Sequence, residues 1–124
     1  MADRTPVLVR RNTANYDLFT FADVKQVEAV PVRLRDITCN DFELVPGGSF
    51  APQVHDDKLE VVTPVPLGPT EGPVVRYSAP DGSYAIELDG YDSIVIPRGI
   101  VHQAENICDT HVILIITNFD YVDA

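Results

Sequence analysis

The sequence predicts an all-β domain, either a sandwich or a barrel, on three observations. Short runs along the chain are rich in valine and isoleucine, the β-branched residues that pack well on pleated surfaces. Gly-Pro and Asp-Gly pairs, such as Gly68-Pro69 and Asp81-Gly82, separate these runs as turns separate strands. No segment has a convincing helical period. Many short strands punctuated in this way are typical of sandwiches and barrels.

The candidate strands follow in order along the chain. The first is Val7-Leu8-Val9, and the next stretch, residues 18–30, is ambiguous because its apolar residues would line a helix face only loosely. From Pro31 the pattern is strand-like, first at Val32, Leu34 and Ile37 and then at Phe42 and Leu44. We expect further strands at 59–65, 74–77, 84–88, 93–96 and 112–117. Residues 94–96 and 112–116 are apolar at odd and even positions alike, which predicts that both faces of these strands are covered.

Length, charge and cysteine content bound the class of protein. The chain has 124 residues, which fits a single domain. A formal net charge of −10 would repel nucleic acid and anionic membrane surfaces, so a small molecule is the expected partner. The sequence has no long apolar run and no signal peptide, so we expect a cytoplasmic location. Two cysteines, Cys39 and Cys108, are expected to be reduced thiols.

The most informative stretch is residues 90–106. Gly90 predicts a tight turn into an apolar strand, and the strand ends at Pro97-Arg98-Gly99. The chain then restarts at His102, at a defined height on the next strand. Asn106 closes the stretch, and we expect its side chain to hold the following turn through hydrogen bonds.

A second group of polar residues lies between Gly47 and Gly68. Gln53 and His55 are two residues apart, so on one strand they would project to the same face. The tight connection 56–58 would then bring Glu60 back beside His55 on a neighbouring strand.

These two stretches resemble the two signature motifs of the cupin superfamily. The second motif fits at every fixed position, and the first departs from the family only where Gln53 replaces a histidine and where Gly68 lies one residue late. The resemblance implies an all-β cupin double-stranded β-helix, or jelly-roll, barrel over about residues 31–120, with an N-terminal extension over about 1–30. It also implies a metal site made of Gln53, His55, Glu60 and His102, and a homodimer.

The chemistry depends on Gln53. The four groups suit one divalent transition metal, Zn, Mn, Ni or Fe(II), with positions left for substrate. An amide oxygen in place of an imidazole weakens donation to the metal, which disfavours redox cycling and leaves Lewis acidity. We therefore expect a non-redox isomerase, cyclase or lyase acting on a small oxygenated substrate. The alternatives are an Fe(II)-dependent dioxygenase and a non-catalytic small-molecule-binding cupin.

Residues that contact the substrate are less well marked. Tyr77 and Tyr84 are expected to be catalytic hydroxyls near the barrel, and Arg76 to pair with a substrate carboxylate. Tyr91 and Arg98 are further candidates of the same kinds. His111 fits no motif position and is expected at a strand end on the surface. Residues 64–73 have the composition of a loop at the mouth of the barrel.

Overall fold

The computed structural model describes residues 5–10 and 32–121, with the backbone alone for 32–40 and 121. Its regular elements are all β-strands: β1 (Val7–Val9), β2 (Val32–Leu44), β3 (Ser49–Gln53), β4 (Lys58–Pro66), β5 (Val75–Ser78), β6 (Ala85–Leu88), β7 (Ser93–Ile96), β8 (His102–Asn106) and β9 (Val112–Tyr121). The all-β prediction is confirmed. The ambiguous stretch 18–30, most of the N-terminal extension and the side chain of Cys39 lie outside the described residues.

The strands form two antiparallel sheets. The larger has the order β1-β7-β4-β9-β2, and the smaller has the order β3-β8-β5-β6. Every predicted strand is present, although β9 runs four residues beyond its predicted end, to Tyr121. Along the part of the chain that the structure describes, no helix is long and apolar enough to cross a membrane.

The hydrophobic core lies between the two sheets. It contains Val62 and Leu114 from the larger sheet, and Val75, Tyr77 and Ala104 from the smaller one. Alternate residues of each strand face this core because side chains alternate across a sheet. All four residues of β7 are buried, as predicted for a strand covered on both faces. On β9 the alternate residues outside this core are only half-buried, so the prediction of two covered faces holds there in part.

The tight turn predicted before β7 is present, and the backbone N–H of Asp92 donates to the carbonyl of Asp89 across it at 3.1 Å. Gly90 does not have a positive φ; the residue with φ of 68° is Tyr91. A Cβ at Gly90 would lie 3.0 Å from Cγ of Pro66, so this glycine permits a close approach between two segments. After β7 the predicted Pro-x-Gly turn is present, with Gly99 at a φ of 79°.

Asn106 holds the turn after β8 through side-chain hydrogen bonds, as expected. Its Nδ2 donates to the carbonyl oxygens of Leu44 at 3.0 Å and Thr110 at 2.9 Å. Its Oδ1 accepts from the backbone N–H of Cys108 at 3.0 Å and from the thiol of Cys108 at 3.1 Å. Cys108 is a free cysteine.

One end of the barrel is built where the chain crosses between sheets. β3 and β4 belong to different sheets, as do β7 and β8, so each connection spans the gap at the edge of the barrel. The two connections are joined by the N–H of Gly99, which donates to the carbonyl of His55 at 2.8 Å. Residues 53–60 and 96–102 therefore meet at this end.

Candidate metal centre

Three of the residues singled out in the sequence converge at this end of the barrel. The ligand atoms of His55, Glu60 and His102 all lie within 4.8 Å of one another. Nε2 of His55 is 3.1 Å from Oε1 of Glu60, and Nε2 of His102 is 3.3 Å from Oε2 of the same carboxylate. One carboxylate thus faces two imidazoles.

The three side chains come from three separate segments. Glu60 lies on β4, and His102 is the first residue of β8 in the opposite sheet. His55 follows the end of β3, in the connection to β4. The expectation that Gln53 and His55 share a strand face is therefore wrong, because the strand ends at Gln53. His55 reaches Glu60 because the chain crosses between the sheets at this point.

Hydrogen bonding fixes the proton on His102. Its Nδ1 lies 3.1 Å from the carbonyl oxygen of Ile100, and a carbonyl can only accept, so Nδ1 carries the hydrogen. In the neutral ring, Nε2 then presents a lone pair toward the Glu60 carboxylate. Two electron-rich atoms therefore face each other at 3.3 Å, an arrangement that a cation between them would stabilise. This backbone partner is the kind that orients metal-binding histidines in proteins.

His55 gives a second indication that a cation fits beside the Glu60 carboxylate. Its Nε2 is buried and has no hydrogen-bond partner, although a carboxylate oxygen lies 3.1 Å away. Leaving a buried polar atom unpaired costs about 1–3 kcal/mol, so such atoms need a partner. Two imidazole nitrogens and one carboxylate are ligands that suit a divalent transition metal. The residues present therefore fit a metal ion at this position.

Gln53 lies beside this cluster. It is the last residue of β3 and pairs directly with His102 of β8. A register shift between Phe50 and Gln53 adds one residue to β3, and the resulting bulge puts Gln53 on the same face as Phe50 and His102. The side chain of Gln53 is exposed.

Tyr77 packs directly behind the cluster. It is 1% exposed, and its ring lies 6.2 Å from that of Phe50 and 6.3 Å from that of His102. Burial raises the pKa of its hydroxyl well above the usual range, and the charge of Glu60 and that of ionised Tyr84 raise it further. The hydroxyl therefore keeps its proton and is suited to donate a hydrogen bond.

Tyr84 supports the segment that precedes His102. Its hydroxyl donates to the carbonyl of Val101 at 2.7 Å. Burial, followed by the charge of Asp81, raises the pKa of Tyr84 to about 12. Hydrogen bonds from Ser83 in turn lower the pKa of Asp81.

Arg76, which the sequence suggested as a partner for a substrate carboxylate, pairs in the structure with carboxylates of the protein itself. Arg76 precedes the inward-facing Tyr77 on β5, so its side chain points to the outer face of the sheet. There it forms ion pairs with Glu87 at 2.9 Å and Glu105 at 3.4 Å, its direct neighbours on β6 and β8.

Tyr91 and the loop at residues 64–73 were expected near the site, but they lie at the opposite end of the barrel from Glu60. The backbone N–H of Tyr91 donates to the carbonyl of Pro64, four residues along β4 from Glu60 and so about 13 Å away. β4 continues to Pro66, and the loop that follows it lies at this same distant end.

His111 is half-exposed at the start of β9, as predicted, with Nδ1 3.7 Å from Glu43. Arg98 is half-buried in the connection from β7 to β8.

Asn118 is a site residue that the sequence interpretation missed. It pairs directly with Glu60 across β4 and β9, and it is 8% exposed. The strand predicted from the sequence ended at residue 117, one residue before Asn118. The signal was present, because the inward positions Val112, Leu114 and Ile116 are apolar and a polar residue follows at the same period.

Comparison with known proteins supports the fold. No protein-family model matches the chain, and no curated protein matches it in sequence. A cupin domain from Bordetella pertussis Tohama I is similar in structure, with a TM-score of 0.52, 24% identity, and coverage of 72% of this chain and 88% of that one. A double-stranded β-helix protein from Klebsiella pneumoniae gives a TM-score of 0.57, with 18% identity over 77% of this chain and 76% of that one.

An oxalate oxidase in complex with glycolate is also similar in structure. It gives a TM-score of 0.53 and 21% identity over 68% of this chain, which spans 42% of that protein. At these identities the likeness concerns the fold. The chain has the all-β cupin double-stranded β-helix fold that the two motifs predicted.

Proposed function

We propose that this protein is a metal-dependent enzyme that carries out non-redox Lewis-acid chemistry, an isomerisation, cyclisation or elimination, on a small oxygenated substrate. The observation that carries the proposal is the convergence of two imidazoles and one carboxylate, since the ligand atoms of His55, Glu60 and His102 all lie within 4.8 Å of one another. His55, Glu60 and His102 would hold one divalent transition ion, and Gln53 would supply the fourth ligand, a neutral amide oxygen. When bound, the ion supplies positive charge that polarises a carbonyl or hydroxyl group.

The residues around the cluster have separate tasks in this proposal. Ile100 holds His102 in the tautomer that binds metal. Tyr77 stays protonated and donates a hydrogen bond to a substrate oxygen, so it is not the general base. Tyr84 is a positioning residue, because its hydroxyl fixes the carbonyl of Val101 immediately before His102.

Redox chemistry is the competing hypothesis, since one protein of similar fold is an oxalate oxidase. Gln53 argues against it. A neutral amide oxygen donates less electron density than an imidazole, so it gives less support to a higher oxidation state of the metal. The ligand set carries one formal negative charge, so a bound dication keeps a net positive charge available for Lewis-acid catalysis.

Metal analysis of protein purified without chelators tests the proposal first. We expect about one divalent ion per chain, and protein free of bound metal would instead favour a non-catalytic binding role. An oxygen electrode then separates the two enzymatic hypotheses. Oxygen uptake by Fe(II)-loaded protein with a hydroxy acid would establish a dioxygenase or an oxidase, whereas turnover without oxygen supports the proposal. A homodimer and a cytoplasmic location stay predictions.

A further inference from the structure

Asn118 lies on the inner face of the larger sheet, next to the candidate metal centre. It lies on β9 directly opposite Glu60 on β4, so the two side chains point to the same face of the larger sheet. Leu114 and Ile116, which precede it at the same period, pack into or against the core. The side chain of Asn118 is therefore directed into the barrel beside the Glu60 carboxylate.

The amide oxygen of Asn118 has no partner. The residue is 8% exposed, and its Oδ1 is a buried atom without a hydrogen bond. An unpaired buried acceptor costs about 1–3 kcal/mol, and native structures contain few of them. The unpaired amide oxygen of Asn118, at the first polar position on the inward face of β9, therefore indicates a ligand that supplies the missing donor.

The length of the Asn118 side chain limits which kind of ligand its Oδ1 can contact. Directly opposed residues have Cβ atoms about 5 Å apart, and the asparagine side chain is one methylene shorter than that of glutamate. Oδ1 therefore stops short of the point where the His55, Glu60 and His102 ligand atoms converge. It is suited to hold a group attached at that point, and less suited to bind the metal itself.

We propose that Oδ1 of Asn118 accepts a hydrogen bond from a hydroxyl group of the substrate, and so selects substrates that carry a hydroxyl beside their metal-binding oxygen. This inference rests on the proposed metal-dependent function. It narrows the substrate class to α-hydroxy acids or α-hydroxy carbonyl compounds. It also makes Asn118 a substrate-binding residue of the site.

A matched pair of small ligands tests the inference without knowledge of the substrate. Glycolate carries a carboxylate and a hydroxyl, whereas methoxyacetate carries the same groups with the hydroxyl hydrogen replaced by methyl. Their dissociation constants are measured by titration of Co²⁺-loaded protein, followed by the visible absorption of cobalt. One net hydrogen bond corresponds to about a threefold to tenfold tighter binding of glycolate.

Variants assign that preference to Asn118. The preference is the dissociation constant of methoxyacetate divided by that of glycolate. Asn118→Leu and the smaller Asn118→Ala should each lower this ratio by the same threefold to tenfold. Gln103→Leu is the matched control, since Gln103 follows His102 on β8 but hydrogen-bonds to Ser78 on the outer face of the sheet. This control should keep the wild-type ratio.

The outcomes separate this inference from the function on which it rests. Protein that binds no Co²⁺ overturns both. Protein that binds Co²⁺ but does not distinguish the two ligands, whether it takes both or neither, overturns only the role of Asn118. Weaker binding of both ligands to the Asn118 variants by the same factor would also overturn it, because the amide would then be a donor.

Discussion

Gln53 lies directly opposite His102 in the pairing of β3 with β8, and a β-bulge puts both on the inner face of the barrel. Between the pairs Phe50–Ala104 and Gln53–His102, β3 advances three residues while β8 advances two. Without the extra residue, the alternation of side chains would turn Gln53 outward. The resemblance to cupins would put a histidine at position 53, so this register supports the proposal that Gln53 is the fourth ligand.

Gln53→His should therefore strengthen metal binding. A third imidazole on the inner face adds a better donor, and we expect the affinity for Zn²⁺ to rise roughly tenfold, equal to about 1.4 kcal/mol. Competition with a chromophoric chelator measures the change. Gln103→His is the control, since it puts a histidine on the outer face of β8, beside His102 in sequence. Equal gains in both variants would show that position 53 does not contact the metal.

His102→Ala should abolish stoichiometric metal binding. His102 supplies one of three converging ligand atoms, and loss of a direct ligand should weaken affinity by more than the roughly 10–100-fold seen for outer partners of a metal site. His111→Ala removes an exposed histidine that pairs with Glu43, and its metal content should stay at the wild-type level. Both variants are compared by elemental analysis after dialysis, with circular dichroism to confirm folding. Full metal content in folded His102→Ala protein would contradict the proposed site.

The resemblance to the two cupin motifs implied that His55, Glu60 and His102 share one site, and the structure brings their ligand atoms together. The path between the residues could not be predicted in the same way. The short connection 56–58 is compatible with a hairpin, but here it crosses between sheets. Arg76 and Tyr77 were both expected at the site, yet adjacent strand residues face opposite ways, and only tertiary packing decides which one points inward. Asn118 was missed because a strand boundary is hard to fix in an apolar run.

Arg76→Ala should leave the candidate site unchanged. The guanidinium bridges Glu87 and Glu105 on the outer face, and all three side chains are about half-exposed. Exposed ion pairs contribute about 0–1 kcal/mol, so the free energy of unfolding in urea should fall by no more than that. Metal content and the dissociation constant of glycolate from Co²⁺-loaded protein should stay at their wild-type values. Glycolate binding weakened about tenfold would instead support the role in carboxylate recognition that the sequence suggested.

Ionisation of Tyr84 should make the protein less stable as the pH becomes alkaline. Its pKa is raised from 10.0 to about 12 in the folded protein, so the folded state holds its proton more tightly than the unfolded chain does. The resulting stabilisation is complete below pH 10 and is lost as the pH rises toward 12. Tyr84→Phe should lose about 1 kcal/mol at neutral pH, with the hydrogen bond to Val101, and should show a shallower alkaline decline.

Guanidinium unfolding of both proteins at about pH 8 and about pH 11 measures the difference. Part of the decline should persist in Tyr84→Phe, because the pKa of Tyr77 is raised in the same direction. An identical alkaline decline in the two proteins would contradict the contribution of Tyr84.

Asn106→Ala should destabilise the barrel without affecting the metal centre. The substitution leaves the carbonyls of Leu44 and Thr110 and the N–H of Cys108 without their partner, at a cost of roughly 2–4 kcal/mol in urea unfolding. Asn106→Asp keeps the size and the acceptor but sets an oxygen against two carbonyls, so it should be at least as damaging. Since His102 lies four residues along β8, about 13 Å away, the folded fraction should keep its metal content. A loss below about 1 kcal/mol in both variants would show that packing, and not this hydrogen-bond network, closes the far end of the barrel.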